Sequence, residues 1–371
     1  MKKIGNIIFC LIFLLMLVLP FVFTNFEKEV ISEIDNEYLP ELETDSLEAF
    51  VKSADGYLDK RIGFREESLE LYQQLNDKLF SEMEHPNHMY GKNGHMYYKW
   101  DEYIEDWQHL NLDEEWADKF VQGIKSFQDY AESKDKKFIY VLLPDKKTIY
   151  PEYFPEGYNV KGDVSRTDQV LNYLDEYSVN YYWAKDTMLE GKKTMPVNNK
   201  KFDITHWNEN GTFIVVSELH SRLGLEPIRE EDYDITEKVE KYLPNSDFVI
   251  NESVPLYTLK DQKAVLERGW HEKNEILFHQ GQHHYFSYHH NPQNTDAPKL
   301  LVIHDSYLAA MEKFFCENVS ELFFIHRYNI HNIDWFKYYV DTLDPDIIVF
   351  ENPERSLMQF DLYNEIPVTN N

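Results

Sequence analysis

The sequence predicts an α/β fold: a parallel sheet flanked by helices, with a β-rich insertion and one N-terminal transmembrane helix. Three observations predict it. Several continuous apolar runs, such as "KFIYVLLP" (Lys137–Pro144) and "KLLVI" (Lys299–Ile303), have the length of strands covered on both faces. Segments with helical spacing of apolar residues alternate with these runs, as parallel strands joined by crossover helices require. A further apolar run, Ile7–Phe23, stands at the start of the chain behind Lys2 and Lys3.

That first run is about long enough to cross a bilayer. Its basic flank assigns the cytoplasm to residue 1 and the outside to everything after the run. Large residues (Phe21, Phe23, Phe26) fill its exit and no A-x-A-type site follows, so residues 1–25 read as an uncleaved anchor rather than a cleaved signal peptide. Residues 26–60 are polar and acidic and read as a stalk. A single domain then occupies residues 61–360.

Within it, Leu69, Leu71, Tyr72, Leu75 and Leu79 predict a helix over Phe64–Phe80. "MYGKNGHMYY" (Met89–Tyr98) predicts a hairpin turning at Asn93-Gly94. A helix near Asp113–Ser133 leads into the strand Lys137–Pro144. A helix near Thr167–Tyr177 precedes the strand Val179–Trp183, and another covers Asn208–Leu223. Residues 225–295 break the rhythm. They carry short strand-like pieces (Phe248–Ile250, Glu275–Phe278, His284–Tyr288) and read as an insertion. The alternation resumes with strand Lys299–Ile303, helix Tyr307–Phe315, strand Glu321–Ile325, helix Ile333–Leu343 and strand Asp346–Phe350.

The charge balance excludes some partners. With 37 Lys+Arg against 66 Asp+Glu, the net charge is −29, a surface that repels nucleic acid and anionic lipid. The only cysteines, Cys10 and Cys316, lie on either side of the anchor boundary, so no disulfide forms within the domain. A disulfide-free exported domain suits a bacterial surface. No P-loop, dinucleotide glycine pattern or G-x-S-x-G elbow occurs, and no cofactor is expected.

The chemistry concentrates at "LLVIHDSY" (Leu300–Tyr307), an apolar strand running into a short polar turn. Ligands in open parallel sheets bind beyond the carboxyl ends of strands. Ser306 therefore stands where a nucleophile belongs, and a following helix N-terminus would offer amides to an oxyanion. Taken alone, Asp305 or Ser306 reads equally well as a helix cap. A serine nucleophile needs a base with an orienting partner. "FDITHWNENG" (Phe202–Gly211) supplies His206 and Asp203.

These segments together resemble the SGNH-hydrolase superfamily, specifically its AlgX/AlgJ-like and DHHW branch of polysaccharide O-acetylation proteins. "MYGKNGHMYY", "VLLPDKKTIYPEYFP" (Val141–Pro155), "THWNENG", "LLVIHDSY" and "FFIHRY" (Phe323–Tyr328) match that branch in order. The resemblance implies an SGNH-like (flavodoxin-like) sheet, with Ser306 as acyl-accepting nucleophile, His206 as base and Asp203 as its partner. Arg327 and Tyr307 would bind substrate or the oxyanion, with help from the Ser306 amide. It also implies a polysaccharide substrate and an MBOAT-type membrane acyltransferase as acyl donor. His304 stands where the branch has glycine and would crowd the oxyanion region. Ile204 occupies the branch's usual Asp position, so the Asp203 spacing is that of the wider superfamily.

The expected activity is therefore O-acyl transfer, with an acetylesterase or a catalytically inactive polysaccharide-binding protein as alternatives. Six histidines fall between 271 and 290 (His271, His279, His283, His284, His289, His290). Their alternation with aromatic residues suits a half-exposed strand, and no metal is expected. Lys146 and Lys147 follow a strand end, where anions bind; at least one is expected to be solvated. Trp100, Trp107 and Trp116 are positioned either to stack on sugars or to lie half-buried in the core.

Overall fold

The structure, a computed structural model, describes residues 2–28, 30–31, 38–80, 87–242, 249–279, 285–330 and 332–358. The chain divides into two compact units: Met1–Pro86 with Val239–Glu252, and Asn87–Lys238 with Ser253–Asn371.

In the first unit, helix α1 spans Lys2–Val22 and is long and apolar enough to cross a membrane. Helices α2 (Leu47–Arg61) and α3 (Arg65–Phe80) follow, so the polar stretch 26–60 contains a helix of its own. Buried Arg61 ends α2 and collects the carbonyls of Pro40 and Leu39 at 2.7 and 3.1 Å. This ties the preceding segment down.

The second unit begins with the expected hairpin. Strands β1 (His88–Tyr90) and β2 (Met96–Tyr98) pair antiparallel around Asn93 and Gly94, both left-handed at φ 53° and 71°, as a tight turn demands. Then come α4 (Asp101–Trp107), α5 (Glu114–Ser133), β3 (Lys137–Leu143), α6 (Lys146–Ile149), α7 (Arg166–Glu176), β4 (Tyr181–Trp183), α8 (Lys185–Gly191) and α9 (Glu209–Leu223). Caps set the boundaries. Asp113 accepts from the Trp116 amide at the start of α5, Ser165 and Asp168 form a capping box on α7, and Asn208 caps α9.

The region 225–295 is β-rich. Strands β5 (Tyr233–Tyr242) and β6 (Val249–Leu259) pair as a ribbon, and β7 (Val265–Leu266), α10 (Trp270–Lys273) and β8 (Phe286–His290) follow. Phe248 and His284, at the ends of two predicted strand pieces, lie outside the described residues. The predicted strand Glu275–Phe278 is instead a turn and irregular chain. Side chains of the following helix take its backbone groups: Tyr338 accepts from the Leu277 amide at 2.9 Å and Tyr339 donates to the Leu277 carbonyl at 2.9 Å.

The chain closes with β9 (Lys299–His304), β10 (Glu321–His326), α11 (Ile333–Leu343) and β11 (Ile347–Pro353). The main sheet runs β4-β3-β11-β9-β10-β8-β7. Its five strands from β4 to β10 are parallel, while β8 adds antiparallel to β10. Strand β9 shows why both faces are covered. Leu300 and Val302 join one apolar cluster, with Val216 and Leu219 of α9. Leu301 and Ile303 join the other, with Phe127 of α5 and Phe336 of α11. This is the α/β architecture expected from the sequence, a mostly parallel sheet with helices on both faces.

One predicted helix is absent. Tyr307–Phe315 forms short 3-10 turns at Ser306–Leu308 and Glu312–Phe314. Ala310 between them is left-handed at φ 61°, which stops an α-helix.

Candidate active site

The register aligns the strand ends: His304 lies beside His326, and Leu143 beside Pro353. The loops leaving these carboxyl ends, together with the loop before α9, carry the candidate residues.

Asp203 adopts φ 44°, a left-handed turn that Asp tolerates better than most residues. The turn brings its carboxylate oxygens to 2.7 and 2.8 Å from Nδ1 of His206. Thr205 adds its hydroxyl to Asp203 Oδ1 at 2.6 Å. A carboxylate there makes Nδ1 the protonated nitrogen and leaves Nε2 as acceptor. Nε2 lies 3.0 Å from Ser306 Oγ. The loop is pinned to the Ser306 turn by Trp207, whose Nε1 donates to the Tyr307 carbonyl at 2.8 Å. Burial works to raise the Asp203 carboxyl, but the His206 imidazole, the Thr205 hydroxyl and the Arg355 guanidinium hold it below its ordinary value. Ile204 is buried, so the side chain at the branch's usual Asp position faces the core.

Asp305 organises the turn at Ser306. Its Oδ1 accepts from the Ser306 amide at 2.6 Å and lies 2.8 Å from Ser306 Oγ. Its Oδ2 accepts from Arg327 Nε at 2.5 Å. Arg327 thus reaches Asp305. Tyr307 is buried under the site, its hydroxyl donating to Asp145 Oδ1 at 2.7 Å. Burial opposes ionisation of Asp305, yet Arg327 and Arg355 hold its carboxyl well below the usual range.

Arg355 was not anticipated from the sequence. It follows β11, and its Nη2 donates to Ser306 Oγ at 2.9 Å and lies 3.2 Å from His206 Nε2. Its guanidinium carbon sits 4.6 Å from the Tyr307 ring centroid. The available signal was a charged pair, Glu354-Arg355, directly after a buried strand at the carboxyl edge. Glu351 on β11 was also missed. It is fully buried and accepts from the Asp305 amide at 2.7 Å. Burial and the neighbouring Asp305 carboxylate push its pKa well above the usual carboxylate range, so it keeps its proton.

His304 is held by its neighbours on the sheet. Its ring stacks on Phe324 with centroids 4.0 Å apart, and its Nδ1 donates to the Asp305 carbonyl at 2.8 Å. Burial pushes its pKa down to about 3, and the ring is neutral. Both Lys146 and Lys147 are buried rather than solvated. Lys147 pairs with Asp106 and Asp145, each at 2.9 Å, and Lys146 donates to the Lys200 carbonyl at 2.7 Å. A cavity of about 340 Å³ lies beside this ion cluster, lined by Trp107, Trp183, Lys147 and Glu354 among others. Trp116 belongs to the core and Trp100 stacks on Tyr98. His289 and His290 lie on β8, while His283 and His284 fall outside the described residues. Among the described residues no group of three His, Cys, Asp or Glu converges as a metal site would require.

No family model matches the sequence, and no curated protein matches it. Solved structures do. PatB1 of Bacillus cereus, in a form with a sulfonyl adduct, superposes with a TM-score of 0.55 at 14% identity, over 75% of this chain and 97% of that one. A DHHW family protein from Eubacterium siraeum gives 0.53 at 13% identity, over 77% and 100%. The O-acetyltransferase domain of Pseudomonas putida AlgJ gives 0.46 at 14% identity, over 76% and 99%. The chain therefore has the α/β fold of PatB1 and of the DHHW family protein, the structural group to which its sequence motifs pointed.

Proposed function

We propose that this chain is an extracytoplasmic O-acetyltransferase that modifies a cell-surface or exported polysaccharide through an acyl-enzyme on Ser306. The observation that carries the reading is the hydrogen-bonded run from Asp203 through His206 to Ser306 Oγ. Asp203 fixes the imidazole tautomer, His206 takes the serine proton, and Ser306 Oγ attacks the acyl carbon. His206 then returns the proton to the leaving group. A sugar hydroxyl, activated by the same imidazole, receives the acyl group in the second half-reaction.

The fold shared with PatB1, which carries a sulfonyl adduct in its structure, supports the choice of a covalent route. Helix α1 supports membrane anchorage with the larger unit outside. Since acetyl-CoA is cytoplasmic, the acyl group must be handed across the membrane, and an MBOAT-type acyltransferase is the proposed donor. An acetylesterase would use the same three residues and pass the acyl group to water.

The test uses the full chain in detergent with p-nitrophenyl acetate, followed by intact mass. An acetyl adduct on the wild type that is lost in Ser306→Ala supports the reading; no adduct on folded protein sinks it. Adding a polysaccharide fragment separates the two enzymes: acetyl on the sugar marks a transferase, free acetate alone an esterase.

A further inference from the structure

Acyl transfer through Ser306 passes through a tetrahedral intermediate whose oxygen carries a full negative charge. When Oγ bonds to the acyl carbon, its proton goes to His206 Nε2 and the carbonyl π pair moves onto the carbonyl oxygen. Collapse restores the carbonyl and expels the leaving alkoxide, which takes the proton from His206. A serine site of this kind ordinarily meets the oxyanion with backbone amides, the nucleophile's own among them.

Here the Ser306 amide is already engaged. The Ser306 amide donates to Asp305 Oδ1 at 2.6 Å. That carboxylate is clamped from its other oxygen by Arg327 at 2.5 Å, so the amide is not released by a small side-chain rotation. The α-helix that would aim a dipole at the nucleophile is absent, replaced by the three-residue turn Ser306–Leu308, too short to carry one.

Arg355 is placed to act instead. Its Nη2 already touches the reacting oxygen at 2.9 Å, and its Nη1 is buried with no hydrogen-bond partner. A buried unpaired donor costs about 1–3 kcal/mol and calls for a reason. The charge count supplies one. Arg327 and Arg355 converge on a single carboxylate, Asp305, at 2.5 and 3.9 Å, and Glu351 beside it keeps its proton. With two guanidinium groups on one carboxylate, the unpaired Nη1 donor of Arg355 is left to meet an anion that forms beside Ser306.

Resting on the acyl-enzyme reading, we infer that Arg355 is a catalytic residue: its guanidinium, in place of the Ser306 amide, stabilises the oxyanion of the tetrahedral intermediate.

The test measures the acylation rate constant and KM of the full chain with p-nitrophenyl acetate, a neutral ester that gives Arg355 no anionic group to bind in the ground state. Arg355→Met and Arg355→Gln are compared with wild type, with thermal melting to identify folded protein; two variants guard against one failing to fold. The expected result is a rate constant lower by about 100- to 1,000-fold, the usual loss for one oxyanion donor, with KM within a few-fold of wild type. Either folded variant acylating at nearly the wild-type rate overturns the inference while leaving the acyl-enzyme reading intact. Wild type that never acquires an acetyl group overturns both.

Discussion

At Asp203 the backbone accepts a left-handed φ of 44° so that the carboxylate can reach a histidine three residues on. Asparagine tolerates that backbone equally well, which makes Asp203→Asn a test of charge rather than of shape. Its neutral amide no longer selects the Nδ1-protonated tautomer. Acylation by the variant is expected to fall by about 10⁴-fold, the loss known for the corresponding change in a serine-protease triad. Stability should respond with a definite sign. The native pKa of Asp203 is depressed, so its contribution is full above the unfolded value of about 3.9 and is lost as pH falls through the native value. Denaturant titrations should show a constant gap between wild type and Asp203→Asn from pH 7 to 5, narrowing below about pH 4. A gap that widens on acidification would contradict this account.

Among the elements, the segment after β9 shows packing overriding propensity. Ala309 and Ala310 favour helix, yet Leu308, Phe314 and Phe315 are all buried in one apolar cluster with Val302 of β9. Seating them bends the chain through φ 61° at Ala310, which is exposed. Glycine has no Cβ penalty there, so Ala310→Gly should be neutral or stabilising by up to about 1 kcal/mol in chemical denaturation; in a true helix it would cost about that much. Strand β11 offers a second test. Glu351 is held neutral, so its raised pKa favours folding below the unfolded value near 4.3, and the benefit is lost as pH rises through the native value. Glu351→Gln keeps an acceptor for the Asp305 amide without a titrating proton. It should melt close to wild type at pH 5 and gain on it at alkaline pH, whereas Glu351→Ala strands that amide and should cost about 1–3 kcal/mol at either pH.

Over the whole molecule, a net charge of −29 coexists with an apolar helix, Lys2–Val22, whose large apolar side chains are exposed. The two properties belong to different surroundings, bilayer for one and water for the other. The proposed topology predicts that the full chain stays with membranes after an alkaline wash, while a chain lacking residues 1–25 is released. Protease added to intact cells should digest the remainder; full protection would place it on the cytoplasmic side and end the extracytoplasmic reading.

The amino-acid sequence alone determined the five parallel strands and most of the longer helices, and it singled out Asp203, His206 and Ser306, because each has a local signature. A strand covered on both faces is a continuous apolar run, a capped helix starts at Asp113 or Asn208, and a nucleophile at a strand end needs only its own few residues. Tertiary structure decided what depends on distant groups. Arg355 and Glu351 meet Ser306 and Asp305 only because β11 pairs with β9, about 50 residues apart in sequence. The pairing of Arg327 with Asp305 likewise depends on the fold, because burial leaves a carboxylate and a guanidinium little choice but to pair. The helix expected after Ser306 gave way because burying three apolar side chains outweighs the small helix preference of two alanines.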